Sequence, residues 1–213
     1  MEDLSENAIR INCPHCNLAS QAFRYPLEQT DEFYLVVDSH PIVEGHILII
    51  PKSHVSCIGE YPQQLFEDFI KLNSKVSEFL LREYRTVSSF EHGIFGQTVF
   101  HSHIHYLPFK GKPTDIVSEG NQYLKKLNNL SDLRSLIRKE KGYLFFSINR
   151  NLWAVDKSLT APRFFRDRFA RALGRPERGN WKKMHNDQNL SKQAKLDALR
   201  TQTKWKYFSK NNY

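Results

Sequence analysis

Three histidines alternate with other residues in His101-Ser102-His103-Ile104-His105-Tyr106-Leu107. Successive side chains of a β-strand point to opposite faces, so a spacing of two puts all three imidazoles on one face of one strand. No other feature constrains the fold as much. The segment must be extended, its intervening residues must face a core, and neighbouring strands must pair with it. Alternation around the triad extends the expected strand over residues 98–108.

The flanking sequence supplies partners for that strand. Residues 33–37 (Phe-Tyr-Leu-Val-Val) and 46–50 (His-Ile-Leu-Ile-Ile, ended by Pro51) read as two strands. The connection between them carries Pro41 and Gly45 as turn signals. Residues 62–85 are apolar at Leu65, Phe66, Phe69, Ile70, Leu72, Val76, Phe79, Leu80 and Leu81, which is helical spacing with Pro62 in the first turn. Residues 87–90 read as a further strand. Residues 114–139 read as a polar helix that breaks near Asn128-Asn129, and 142–155 as a β-hairpin turning at Asn149-Arg150-Asn151. Residues 162–173 read as a basic amphipathic helix stopped by Gly174 and Pro176. The order implies an α+β fold with an antiparallel β-sheet and packed helices, followed by a C-terminal hairpin and helical extension. The expected divide separates residues 1–112 from an extension at 113–213.

With 213 residues, 40% hydrophobic and 25% charged, the chain has the composition of a globular domain able to bury a core. No run approaches the roughly 20 apolar residues of a membrane span. The acidic, polar start MEDLSENAIR lacks the features of a secretory signal. Both points lead to the expectation of a cytoplasmic protein without membrane contact. Cys13, Cys16 and Cys57 are too few and odd in number for a disulfide framework. In a reducing compartment the Cys13-Pro14-His15-Cys16 pair suggests metal or redox chemistry. Charge is uneven: residues 162–213 hold 14 Lys or Arg against 4 Asp or Glu, so the net charge of +8 resides there. A basic end on a near-neutral body suits a polyanionic partner, with a solvated, solubilising tail as the plainer reading.

Two chemistries suit the triad. Histidine is a common zinc ligand. Equally, one imidazole can attack phosphorus and form a covalent intermediate while its neighbour holds or donates a proton. Incidental surface histidines are the remaining reading, and the strict period of two speaks against it.

At this point the chain resembles the histidine-triad (HIT) family, whose signature alternates three histidines with hydrophobic residues. Gly96-Gln97-Thr98-Val99 looks like its fragile histidine triad and nucleoside-phosphoramidase branches. The stretch from Asp38 through His46 to Ile50-Pro51-Lys52-Ser53-His54 is similar to the family's other hallmark. The resemblance spans about residues 10–110. It implies a HIT domain in 1–112 and attack on an α-phosphate by His103 as nucleophile. His105 would stabilise the transferring group, Gln97 and Thr98 would contact phosphate or leaving group, and Asp38 would bind ribose hydroxyls. It also implies a structural zinc held by Cys13, Cys16, His54 and His101, with no cofactor needed for the chemistry; a reduced, unliganded cysteine pair is the competing reading. His15, His40, His92 and His185 are read as bystanders, with His92 near enough in sequence to approach the site. Ser102 and Glu44 depart from the pattern, and Glu91 would repel a phosphate if it faced one. Many family members are homodimers, an interface the extension would cover or replace.

Beyond residue 110, Arg163, Arg166, Arg168, Arg171 and Arg175 recur along one helix. They are read as a docked helix with a solvated face, or as contacts to distal phosphates. Trp181, Trp205, Tyr207 and Phe208 in a basic tail suit stacking on nucleic acid, or a tail that is only partly ordered. The expected function is therefore a nucleotide hydrolase or nucleotidyltransferase working through a nucleotidyl-histidine. Its small-molecule substrate would be a dinucleoside polyphosphate such as diadenosine polyphosphate, a nucleoside phosphoramidate or an adenylated conjugate. The alternatives are a deadenylase acting on nucleic-acid ends and a non-catalytic nucleotide-binding protein.

Overall fold

A computed structural model describes residues 12–211. Its eight strands are β1 Pro26–Gln29, β2 Phe33–Val37, β3 Ile47–Pro51, β4 Ser88–Gly93, β5 Ile104–Leu107, β6 Leu124–Leu127, β7 Tyr143–Ile148 and β8 Asn151–Val155. The helices are α1 Gln63–Tyr84, α2 Pro113–Ile116, α3 Asp132–Glu140, α4 Phe164–Ala172, α5 Trp181–His185 and α6 Gln188–Lys210. All strands join one antiparallel sheet in the order β1-β2-β3-β5-β4-β7-β8-β6. The strand bearing His105 is thus interior, between β3 and β4. The antiparallel α+β fold expected from the sequence is the observed one.

β2 and β3 are apolar on both faces because both faces are covered. On one side α1 buries Leu65, Phe69, Leu72, Val76, Phe79 and Leu80 against Phe33, Leu35, Ile47, Ile49, Ile104 and Tyr106. On the other, Val36, Leu48 and Ile50 pack with Phe23 and Tyr34, and farther along the sheet α4 buries Phe164, Phe165 and Phe169 against Phe90, Leu107, Phe109 and Phe146. Gly45 turns the chain between β2 and β3 at φ +86°, and a Cβ there would meet the Tyr84 ring at 2.9 Å.

The sheet runs on past residue 112: β7 pairs β4 along its whole length, and β8 and β6 extend it further. Asn149 and Arg150 turn the hairpin with φ +47° and +66°. Two elements differ from the sequence reading. The helix expected over 114–139, with a break near Asn128-Asn129, is instead α2, β6 and α3. Gly120 at φ +118° interrupts the helical pattern, and the backbone of Leu124–Leu127 completes the free edge of β8. Lys125 and Lys126 then make a charged, exposed sheet edge. The strand expected over 98–108 shortens to β5, because Ile94 (φ +79°) and Gly96 (φ +72°) lead the chain off the sheet.

The basic tail is ordered structure. Trp205 and Phe208 of α6 are each 2% exposed and pack on Phe79 of α1. Thr201 accepts from the Gly45 N–H at 2.8 Å, tying α6 to the β2–β3 turn. No helix among the described residues is long and apolar enough to cross a membrane.

Candidate functional site

The shared face deduced for three histidines holds for two of them. His103 and His105 lie with ring centres 5.1 Å apart. His101 turns aside, toward Pro51 and the cysteines.

Backbone and neighbours set the tautomers. The Ile42 N–H donates to His46 Nδ1 (3.1 Å), so His46 carries its proton on Nε2. That Nε2–H donates to His105 Nδ1 at 2.9 Å, which leaves the His105 proton on Nε2. His103 Nδ1–H donates to the carbonyl of His101 at 2.7 Å, so His103 Nε2 keeps its lone pair. Two adjacent imidazoles thus differ in character, one presenting a lone pair at Nε2 and the other an N–H. Burial depresses the pKa of His103, opposed by its bond to the His101 carbonyl, and pushes that of His105 further down. Both are neutral at neutral pH. Phe90 stacks under His105 at 4.3 Å and 14°, fixing its ring plane.

These rings line a cavity of about 390 Å³ together with Asp38, Ser39, His40, Leu48, Gly96, Gln97, Thr98, Val99, Arg163 and Arg166. Pro14, His15, Ser20, His92, Trp181 and His185 also line it. Gln97 donates Nε2–H to the Ser56 carbonyl at 2.7 Å, and its Oε1 is buried without a partner among the described residues.

Asp38 is buried. Its Oδ1 accepts the His40 N–H at 2.8 Å and its Oδ2 accepts Arg166 Nη1–H at 2.6 Å. Burial alone would raise its pKa; Arg166 and His46 outweigh that and hold it well below the usual carboxylate range. Arg166 also donates to the carbonyls of His40 (2.7 Å) and Gly179 (3.3 Å). The helix read as docked with a solvated basic face thus carries one arginine inside the site. Asp38, His46 and His105 lie within metal-binding distance of one another, but the guanidinium already supplies the positive charge there.

Of the four histidines read as bystanders, two are buried at the site. His15 is 6% exposed with its ring 4.7 Å from that of His103, and His92 is buried and accepts the Phe165 N–H at 3.3 Å. Burial pushes the His92 pKa down to about 3. His40 and His185 line the cavity beside Trp181. Nothing in the sequence marks this contact of His15, because its partner His103 lies far along the chain. His46 is the other omission: it stands in the quoted hallmark stretch, yet only the packing reveals its bond to His105. The repulsion expected of Glu91 does not arise, because it points to the opposite face of the sheet, bonded to Ile58 N, Ser102 Oγ and Tyr143 Oη.

The structure also brings Cys13, Cys16, His54 and His101 together, their ligand atoms all within 4.8 Å of one another. Sγ to Nδ1 distances are 3.3 Å for Cys16–His54, 3.4 Å for Cys13–His101 and 3.4 Å for Cys16–His101. A tetrahedral zinc with ordinary Zn–S and Zn–N bonds has S···N edges of about 3.5 Å, so these donors fit the ion. His101 Nε2–H donates to the Pro51 carbonyl at 2.8 Å, the outer contact that orients such ligands.

The chain is similar to several known proteins. Residues 26–112 match the HIT domain. Protein hit of Bacillus subtilis is 26% identical over 106 residues, spanning 47% of this chain and 73% of that protein. Adenosine 5'-monophosphoramidase HNT1 of Saccharomyces cerevisiae is 26% identical over 106 residues, spanning 49% of this chain and 67% of that protein. Among solved structures, the HIT family hydrolase from Clostridium thermocellum superposes with a TM-score of 0.41 at 28% identity, covering 49% of this chain and 98% of the other.

Proposed function

We propose that this chain, which carries a HIT domain across residues 26–112, is a hydrolase or transferase that acts on the α-phosphate of a nucleotide through a covalent nucleotidyl-histidine. The observation that carries this reading is the opposed pair of tautomers, a lone pair on His103 Nε2 beside an N–H on His105 Nε2. His103 Nε2 attacks the α-phosphorus and a P–N bond forms. The bond from phosphorus to the leaving group breaks, and that group departs with the electron pair and takes a proton from solvent. Water then attacks phosphorus and gives up a proton to solvent, the P–N bond breaks with its electron pair returning to His103 Nε2, and the nucleoside monophosphate leaves. His105 donates to a non-bridging oxygen, which strengthens as charge develops.

Asp38 accepts from the ribose hydroxyls. A carboxylate has about four lone-pair positions, of which His40 and Arg166 take two. Gln97 and Thr98 contact phosphate or leaving group from the loop before the triad. Cys13, Cys16, His54 and His101 hold a zinc ion that fixes the N-terminal turn. Four protein ligands leave that ion no open position, so its contribution is to structure. A phosphoramidate, a dinucleoside polyphosphate or an adenylated conjugate meets these requirements. The relative named as an adenosine 5'-monophosphoramidase supports the first of these.

Intact-protein mass spectrometry tests the reading. Brief incubation with adenosine phosphoramidate or diadenosine polyphosphates should add one adenylyl mass to the wild type and none to His103→Ala. Turnover retained by His103→Ala would sink it.

A further inference from the structure

His15 sits between the two cysteines of the N-terminal turn, and nothing in that turn's metal ligation requires a histidine there. Its side chain is nevertheless buried at 6% exposure. Its ring meets that of His103 edge-on at 4.7 Å and 71°, and that of His101 at 5.6 Å and 83°. It lines the same cavity as His103, His105 and Gln97. Its Nδ1 is buried with no hydrogen-bond partner among the described residues. A histidine present only for packing normally has such a nitrogen satisfied, since leaving it open is unfavourable.

The remaining wall indicates what would satisfy this ring. Arg163, Arg166, His92 and His105 line the cavity, and the one carboxylate among the lining residues, Asp38, is already paired. The donors that remain, the His105 Nε2–H and the Arg163 guanidinium with its unpartnered Nε, suit an oxyanion. The turn that carries His15 is fixed at both ends: Cys16 N–H donates to the Cys13 carbonyl at 3.1 Å, and both sulfurs lie 3.4 Å from His101 Nδ1.

We propose that His15 is a fourth histidine of the reacting site, donating an imidazole N–H to a non-bridging oxygen of the phosphoryl group held at His103, and that the Cys13–Cys16 turn is what places it there. The inference rests on the reading of His103 as nucleophile, and its test is kept separate from turnover. AMP and adenosine differ by the phosphoryl group alone, so calorimetry with each isolates that contact. His15→Ala should bind AMP at least tenfold more weakly and adenosine within twofold of wild type, with the metal content per chain unchanged by native mass spectrometry. His15→Gln, which keeps an N–H, should recover part of the loss. Wild type treated with a chelator should bind AMP no better than His15→Ala.

Equal AMP affinity in wild type and His15→Ala would overturn the contact. Equal losses for AMP and adenosine, or loss of metal from His15→Ala, would reduce His15 to packing. Full AMP affinity after chelation would overturn the placement by the turn. A wild type that forms no adenylyl adduct refutes the covalent reading of His103, while the difference between AMP and adenosine still reports on His15.

Discussion

Two buried carboxylates lie on opposite faces of the same sheet, and their surroundings treat them oppositely. Asp38, on the histidine face, is met by the Arg166 guanidinium and held below the usual carboxylate range against the effect of its burial. Glu91, on the α1 face, is met only by neutral donors. Burial raises its pKa to about 7, with the bonds from Tyr143, Ser102 and Ile58 opposing the rise. Burial is common to both, so what separates them is a full positive charge. That charge comes from α4 of the extension, which divides the molecule into a face built to hold charge and a face built to exclude it.

The largest expected effect lies on the charged face, at its reacting group. His103→Ala should lower turnover at least about a thousandfold in a steady-state assay while the fold stays intact, because His105 keeps the wrong tautomer to attack phosphorus. Next is the guanidinium itself. Arg166→Ala leaves Asp38 buried without its partner, which should destabilise the protein by about 3–5 kcal/mol in urea unfolding. Arg166→Lys should restore only part of that, because an ammonium cannot span Asp38 Oδ2 and the His40 carbonyl together. If Arg166→Ala unfolds at the wild-type urea concentration, the contrast between the two faces is wrong.

How the two faces read from sequence differs in the same way. The triad, α1 and the hairpin were legible, because each rests on spacing within a short window; Asp38, Gln97, Thr98 and the four candidate metal ligands rested on the family resemblance instead. Arg166 was not: its partner Asp38 lies 128 residues away, and one arginine among five at helical spacing carries no mark of its burial. Nor was His15, for the same reason. The β6 strand was missed because Leu124-Lys125-Lys126-Leu127 fits a helix locally, and only the open edge of β8 makes it extended. Trp205 and Phe208 resemble an exposed stacking motif in sequence, yet the amphipathic face of α6 buries them.

Glu91 supplies the sharpest test of the neutral face. Its folded pKa of about 7 stands above the ordinary 4.5, so between those values the folded protein keeps a proton that the unfolded chain has released. Stability from this group is therefore full below pH 4.5, falls as pH rises, and is flat above 7. Asp38 runs the other way, its contribution being lost only as pH falls below the ordinary carboxylate range. Glu91→Gln removes the first effect alone. The difference in unfolding free energy between Glu91→Gln and wild type should move in favour of Glu91→Gln by about 2–3 kcal/mol from pH 5 to pH 8. An unchanged difference across that range would mean that Glu91 is ionised throughout.

The smallest effect is expected at the outer wall of the charged face. Trp181 is 37% exposed and lies 5.8 Å from His40 at a tilt of 44°, both rings lining the cavity. An aromatic wall there suits stacking by a nucleobase, and truncating such a contact typically loses about 1 kcal/mol or more. Trp181→Ala should raise KM for an adenosine nucleotide roughly fivefold with kcat unchanged, because stacking is equal in ground and transition states. The same variant separates the two substrate classes. If the physiological ligand is an adenylated nucleic-acid end, wild-type affinity falls steeply with salt through the basic extension, and the Trp181→Ala loss adds to that slope without changing it. If it is a mononucleotide, salt leaves affinity nearly flat and the ring is the main contribution of α5. A KM untouched by Trp181→Ala would confine recognition of the base to residues 26–112 and leave the extension its arginine alone.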